Sequence, residues 1–103
     1  MLKKINRITS KKEFGEVKGS GQIKQFPYFG LINLVKPDTD KKFGFIISKK
    51  ISKKAVVRNK IKRLLAEEVR KNLDKFKDGF RGIFLIKKNI IDEKGNLKYI
   101  KFL

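Results

Sequence analysis

Residues 43–69 read FGFIISKKISKKAVVRNKIKRLLAEEV, a stretch in which one hydrophobic pattern gives way to another. Residues 43–48 are apolar and rich in Phe and Ile, which predicts a short half-buried strand. From Val57 to Val69 the apolar residues recur at spacings of 4, 3, 1 and 4, which predicts a helix with one apolar stripe. A further apolar run at Gly82–Lys87 predicts a buried strand. Together they predict a strand–helix–strand unit, without indicating whether the two strands are neighbours.

The predicted helix runs from about Lys53 to Leu73, with Ser52 as its N-cap. Between Lys49 and Arg63 the chain carries eight positive residues and no acidic residue. A helix face that is merely solvated usually mixes both signs of charge, so this pattern favours contact with a polyanion. At about 100° per residue, the side opposite the apolar stripe carries Asn59, Lys62, Arg63 and Arg70, with Arg58 and Lys60 at its flanks.

A second, shorter helix is predicted near the N-terminus, from about Lys11 to Lys18. Ser10 and Glu13 have the spacing of a capping box, in which each residue bonds the backbone amide of the other. The glycines at 19 and 21 would end the helix, since glycine accepts the left-handed conformation that a helix exit often needs.

The remaining apolar runs complete an α+β fold within a single domain, residues 1–103. Tyr28–Val35 is predicted as a strand, preceded by a shorter one near Gln22–Phe26. Residues 92–96 are predicted as a turn, and residues 97–103 as a short C-terminal helix. We therefore expect a small α/β sandwich: an N-terminal helix, a mixed sheet of roughly four strands, the long basic helix between the last two strands, and the short final helix.

The charge balance points to a polyanionic partner. The chain has 28 Lys and Arg against 10 Asp and Glu, which gives a net charge of +18. Nucleic acid is the leading candidate and an anionic membrane surface the second. The longest wholly apolar run is Ile83–Ile86, far too short for a membrane span, and no signal-peptide pattern follows the basic N-terminus. We therefore expect a cytoplasmic protein.

The residues usual in catalysis are scarce. The chain has no Cys and no His, so thiolate nucleophiles, cysteine–zinc sites and imidazole acid–base chemistry are excluded. The pairs Asp38/Asp40 and Asp92/Glu93 could bind Mg²⁺, but they lie in predicted turns, where Asp commonly bonds the backbone. Most of the Phe rings are expected in the core; for Phe14 and Tyr28 both core packing and base stacking stay open.

Residues 49–65 closely resemble the signature of the protein subunit of bacterial ribonuclease P. That family carries the pattern Ala-Val-x-Arg-Asn-x-x-Lys-Arg, which matches Ala55–Arg63, in a helix after a strand that ends Ser-Lys-Lys, as at residues 48–50. Residues 2–14 resemble the family's opening segment, and the likeness extends in order and spacing over residues 2–90. A generic basic helix would not reproduce this motif.

The resemblance implies a function and partners. In that family the RNA subunit is the catalyst and removes the 5′ leader from precursor tRNA, with Mg²⁺ bound mainly by the RNA. The protein would bind the catalytic RNA and the leader while contributing neither a catalytic residue nor a metal ligand, and no membrane or DNA partner is expected. The resemblance also implies a left-handed strand–helix–strand crossover, against the usual preference.

The same resemblance, with the helix periodicity, assigns candidate site residues. RNA contacts are expected from Lys50, Lys53, Lys54, Arg58, Asn59, Lys60, Lys62, Arg63 and Arg70. The leader cleft is expected to involve Phe14, Tyr28, Ile32 and Ile86. Three alternatives stay open: a ribosomal or other structural RNA-binding protein, a small nuclease acting alone, and a DNA-binding helix module. The RNA that co-purifies with the protein would distinguish them.

Overall fold

The computed structural model describes residues 3–91, so the turn predicted at 92–96 and the helix predicted at 97–103 lie outside the described residues. Two α-helices and four strands form an α+β architecture, as predicted. In chain order the elements are α1 (Lys11–Ser20), β1 (Gln22–Gln25), β2 (Phe29–Val35), β3 (Lys42–Ile46), α2 (Ala55–Lys71) and β4 (Phe80–Ile86), with short 3-10 turns at Lys4–Asn6, Leu73–Lys75 and Lys88–Ile90.

The four strands form one mixed sheet in the order β1-β2-β4-β3. β2 is antiparallel to β1 and to β4, whereas β3 is parallel to β4, with Phe45 opposite Phe84. The two strands of the strand–helix–strand unit are therefore neighbours, which the sequence left open. Because β4 is central, its run of apolar residues is explained by burial on both faces. β3 lies at an edge of the sheet.

The two helices cover opposite faces of the sheet. Side chains alternate along a strand, so neighbouring residues of β4 belong to different layers. Phe84 packs with Ala66 and Val69 of α2, whereas Ile83 packs with Val17 of α1. The molecule thus has three layers, α1–sheet–α2. Because β3 is an edge strand, its outer edge lies between the two helical layers.

α1 begins at the predicted residue with one half of the predicted capping box, because the Glu13 carboxylate binds Lys36 and Arg81 rather than the Ser10 amide, and it ends for a different reason. The Ser10 hydroxyl accepts a hydrogen bond from the Glu13 amide at 3.4 Å. At the exit, Gly21 has φ of −75°, so the prediction of a left-handed glycine there is wrong. Its lack of a side chain serves close packing, because a Cβ on Gly21 would lie 2.5 Å from the Val17 carbonyl oxygen and 2.8 Å from Ile32.

α2 starts later than predicted. Its N-cap is Lys54, not Ser52, and the side chain of Lys54 makes no capping hydrogen bond. The Ser52 hydroxyl instead accepts from the Lys54 amide at 3.2 Å, which tightens the turn before the helix. Ile61 and Leu65 of the predicted apolar stripe are each 1% exposed, so the helix is held to the sheet by that stripe.

Candidate nucleic-acid interface

A cleft of about 440 Å³ lies at the free edge of β3, between the two helical layers. Three separate parts of the chain form it: the N-terminal segment with α1, the strand β3, and the middle of α2. Its lining consists of Arg7, Ile8, Phe14, Phe43, Gly44, Phe45, Asn59, Lys62, Arg63 and Ala66. The cleft therefore joins the aromatic ring and the basic helix that the sequence singled out separately.

Phe14 forms the α1 side of the cleft. Its half-buried ring lies over Gly44 of β3, where a Cβ would come within 2.9 Å of the ring atom Cε2. The glycine thus lets the ring sit directly on the strand, and any side chain at this position would displace it. A partly open ring on a rigid support can stack a nucleobase.

The floor of the cleft is the backbone edge of β3. The Ile8 amide donates to the Phe43 carbonyl at 3.0 Å and so covers the first part of this edge. The direction of the backbone groups alternates along a strand, so the N–H and C=O of Phe45 point to the same outer edge as those of Phe43. One side of the Phe45 ring is already stacked on the Phe84 ring, with ring centres 5.3 Å apart, so a base cannot stack on that side.

The α2 side of the cleft is cationic. Asn59, Lys62 and Arg63 are exposed, and their side chains form no hydrogen bond or ion pair with any other residue between 3 and 91. Arg7 adds a positive charge from the opposite side. Guanidinium and ammonium groups bind phosphate oxygens through charge-assisted hydrogen bonds, and an Asn amide can bond a base edge or a ribose hydroxyl.

The other predicted RNA-binding residues lie outside the cleft. Lys50, Lys53 and Lys54 are exposed in the loop before α2, and Lys60 is exposed on the helix itself. This loop is fixed from within by Ile51, which is 5% exposed and packs with Ile61 and Leu65. We call the exposed cations of this loop and Lys60 the outer basic surface.

Two of the predicted arginines have partners inside the protein. The Arg58 guanidinium donates to the Ser52 carbonyl at 2.8 Å, so this half-buried side chain also ties the loop to α2. Arg70 forms an ion pair with Glu67 one turn earlier, through both Nε and Nη2. The hydrogen bond from Arg70 holds the pKa of the Glu67 carboxyl below its usual range.

The four residues expected in the leader cleft do not lie together. Phe14 lines the cleft, whereas Ile32 is 4% exposed and packs with Val17 and Ile83 beneath α1. Tyr28 and Ile86 pack on the opposite face of the sheet, with the apolar residues of α2. The reason is the alternation of side chains along the strands, which sends Ile32 and Ile86 into different layers.

Several lining residues were not predicted as site residues: Arg7, Ile8 and the three residues of β3. Arg7 belongs to the N-terminal segment that resembles the family, which was a usable signal for it. The apolar sequence of β3 predicted that its residues lie in the core, and Phe43 is indeed only 1% exposed. They reach the cleft because β3 is an edge strand, and the position of a strand in a sheet is not visible in its own sequence.

The acidic residues are segregated from the cleft. None lines it among the described residues. Glu13, Glu16 and Asp38 instead make ion pairs with Lys36 or Arg81, in the layer that α1 covers. Glu13 and Glu67, which adjoin the lining residues Phe14 and Ala66 in sequence, are paired with Arg81 and Arg70. Within residues 3–91 the cations of the cleft are therefore not paired with a carboxylate, which favours a phosphate-bearing ligand.

The described part of the chain offers no ready site for a bound metal ion. Between residues 3 and 91 no group of three or more metal-ligating side chains comes together. The carboxylates of Glu13 and Asp38 are both bound to Arg81. No helix in this described part of the chain has the length and apolar character needed to cross a membrane.

Comparisons with known proteins agree with this geometry. The sequence profile of the family described as Ribonuclease P matches residues 2–99. The ribonuclease P protein component of Microcystis aeruginosa is 38% identical in an alignment of 95 positions that covers 88% of this chain and 79% of that protein. The corresponding protein of Fusobacterium nucleatum is 35% identical in an alignment of 99 positions that covers 92% of this chain and 85% of that protein.

Solved structures show the same fold. The RNase P protein of Thermotoga maritima matches with a TM-score of 0.74 and 25% identity, over 82% of this chain and 76% of that one. The RNase P protein of Staphylococcus aureus gives a TM-score of 0.74 at 24% identity, over 82% and 77% of the two chains. By its sequence over nearly its whole length, and by its fold, this chain belongs to the ribonuclease P protein family, whose members are subunits of a tRNA-processing endoribonuclease.

Proposed function

We propose that the cleft binds the single-stranded 5′ leader of precursor tRNA and that the outer basic surface binds the catalytic RNA. The observation that carries the proposal is the composition of the cleft: one supported aromatic ring, three cations and an Asn, with no acidic residue among the described lining residues. Stacking and charge together favour a flexible single strand, whose bases are free to unstack, over a regular duplex.

The proposed role of the protein follows from its charge. The catalytic RNA and the precursor tRNA are both polyanions, so they repel each other when they meet. A protein with a net charge of +18 between them reduces that repulsion and gains affinity from the counterions it releases. The ribosomal alternative is not favoured, because residues 2–99 match a different family.

In this proposal the RNA, and not the protein, binds the Mg²⁺ ions. Among the described residues, the carboxylates of Glu13 and Asp38 are already bound to Arg81, so neither is free to hold an ion. By lowering electrostatic repulsion, the protein would let the RNA reach its active, metal-bound form at a lower Mg²⁺ concentration. The protein itself positions the leader and takes no part in the proton transfers.

The test is single-turnover cleavage of a precursor tRNA by the catalytic RNA, with and without the protein, over a range of Mg²⁺ concentrations. We expect the protein to lower the Mg²⁺ concentration needed for half-maximal cleavage, while the RNA alone stays active at high Mg²⁺. A catalytic RNA that is inactive without the protein at every Mg²⁺ concentration would contradict the proposal.

The leader is tested separately by comparing a precursor tRNA with the matching mature tRNA. The protein should raise the affinity of the catalytic RNA for the precursor more than its affinity for the mature form. An equal gain for both substrates would show that the cleft does not bind the leader.

A further inference from the structure

Arg81 is a buried charged residue on β4, in the layer covered by α1. Its side chain is 3% exposed, and each of its three nitrogens donates at least one hydrogen bond. Nη2 donates to Asp38 Oδ2 at 2.7 Å, Nη1 donates to the Asp40 carbonyl at 2.7 Å, and Nε donates to Glu13 Oε2 at 3.2 Å. A buried guanidinium needs such partners, so Arg81 ties α1 to the turn between β2 and β3.

Glu13 is the α1 partner in this arrangement. It accepts a second hydrogen bond from Lys36 Nζ at 2.8 Å, and Lys42 Nζ lies 3.8 Å from its other oxygen. Burial alone would raise the pKa of Glu13, but the hydrogen bonds from Lys36 and Arg81 outweigh it and the pKa lies below its usual value. The carboxylate is therefore charged at neutral pH and binds Arg81 in its ionised form.

Apart from its ion pairs, α1 contacts the sheet mainly through apolar side chains. It has ten residues, and Val17 is its one fully buried side chain. Val17 packs with Ile32 and Ile83, and the half-buried Phe14 packs against the same cluster. Apolar attraction of this kind holds the helix to the sheet but has no direction of its own, so it defines the tilt and rotation of a short helix less sharply than hydrogen bonds do. Hydrogen bonds from a guanidinium are directional, and Glu13 precedes Phe14, whose ring lies in the cleft.

We propose that Arg81, Glu13 and Asp38 form a positioning clamp, which fixes the orientation of α1 on the sheet and so holds the Phe14 ring where a leader base stacks. None of the three clamp residues lines the cleft, so the clamp does not itself contact the leader. Its residues are positioning residues for leader binding, so this inference rests on the proposed function. Loss of the clamp should therefore weaken leader recognition more than it weakens binding of the rest of the substrate.

The chain offers a matched pair of variants. Glu13→Gln removes the charge on the clamp with almost no change in shape. Glu16→Gln makes the same change on the same helix, but Glu16 is half exposed and its contact with Lys36 is longer, at 3.6 Å. Because the chain has no Cys, spin labels at Lys18→Cys on α1 and Lys71→Cys on α2 would be unique, and the distance between them reports the orientation of α1 in the reconstituted holoenzyme.

Two quantities are measured for each variant: the width of the label-to-label distance distribution, and the affinity for precursor tRNA divided by that for mature tRNA. With Glu13→Gln the distribution should broaden and the affinity ratio should fall about fivefold or more, the contribution of one stacked base. Affinity for mature tRNA should stay unchanged, which a general loss of structure would not allow. Glu16→Gln should alter neither quantity.

The proposal is overturned if Glu13→Gln leaves the distance distribution as narrow as in the wild type, or if the distribution broadens while the affinity ratio is unchanged. Asp38→Asn provides a second variant, expected to change both quantities in the same direction but less, because Asp38 is more open to solvent than Glu13. A wild-type holoenzyme that binds precursor and mature tRNA equally would contradict the proposed function instead, while the distance measurement still tests the clamp.

Discussion

Arg63 and Arg70 lie two turns apart on the same helix and carry the same charge, but their surroundings differ. Arg63 borders the cleft, and its guanidinium has no partner among residues 3–91. Arg70 is paired with Glu67. A phosphate that binds Arg70 shares the guanidinium with the Glu67 carboxylate, which repels it, whereas a phosphate that binds Arg63 displaces only water and counterions. The two residues should therefore contribute unequally to RNA binding, although the sequence assigns both to the same face.

Arg63→Ala should weaken binding of precursor tRNA to the holoenzyme by about 1–3 kcal/mol. It should also lower the slope of log affinity against log salt by about 0.7–0.9, because one fewer counterion is released. Arg70→Ala, the control, should change both quantities less. The measurement is a titration of binding at several salt concentrations. An unchanged slope for Arg63→Ala would show that its guanidinium meets no phosphate.

Single residues also show where sequence reasoning stops. The glycines that matter, Gly21 and Gly44, are needed because another part of the chain comes too close for a side chain. A close approach between distant segments leaves no local signal, so Gly21 was expected for its conformation and Gly44 was not singled out. A local rule correctly predicted the capping contact of Ser10, whereas the same rule failed at Ser52, whose hydroxyl bonds the Lys54 amide in the turn before α2.

At the scale of elements, the helices and strands follow from hydrophobic periodicity. The 3.6-residue period of α2 and the apolar runs of β2, β3 and β4 placed each element within a few residues. Periodicity does not determine which strands pair or which face a given residue takes in the finished sheet. Ile32 and Ile86 were assigned to one surface for that reason, although they lie in different layers.

The contact between α1 and the sheet should depend on pH. Hydrogen bonds from Lys36 and Arg81 lower the pKa of Glu13 against the effect of burial, and the hydrogen bond from Arg81 lowers the pKa of Asp38. A carboxyl whose pKa is lowered on folding stabilises the protein above its unfolded pKa, and that contribution is lost as the pH falls through the folded pKa. The clamp should therefore stabilise the protein at neutral pH and lose its effect below the usual values of 4.5 and 3.8.

The measurement is thermal unfolding between about pH 7 and pH 2, the range in which carboxyl groups titrate. The wild type should lose stability more steeply below about pH 5 than a variant with both Glu13→Gln and Asp38→Asn, because the variant has lost this pH-dependent contribution. At neutral pH the variant should be less stable than the wild type. Parallel curves for the two proteins would contradict the ionised state of the clamp.

At the scale of the whole molecule, the separation of charge is the main feature. Ionic contacts with Glu13 and Asp38 gather in the layer of α1, while the cleft and the outer basic surface keep their cations unneutralised. Such a distribution was only partly predictable. The basic helix is visible in the sequence, but the cleft combines residues 7–14, 43–45 and 59–66, and only the three-dimensional fold brings these segments together.

The net charge of +18 should make the folded state sensitive to anions. A single-stranded oligonucleotide that binds only the folded protein, at about 100 times its dissociation constant, should add about 2.7 kcal/mol of stability. In a chain of this size that raises Tm by about 10–20 °C. A variant with Lys62→Ala and Arg63→Ala should gain less at the same concentration. An equal rise in both proteins would mean that the oligonucleotide binds elsewhere.

Leader binding in the cleft is tested most directly by identifying the RNA that residue 14 contacts. A photo-reactive phenylalanine analogue placed at Phe14, in the holoenzyme with a precursor tRNA bound, reports the nucleotides that lie in the cleft. Crosslinks to the 5′ leader, absent when mature tRNA replaces the precursor, are the predicted result. Crosslinks confined to the catalytic RNA or to the mature part of the tRNA, in a holoenzyme that still cleaves its substrate, would contradict it.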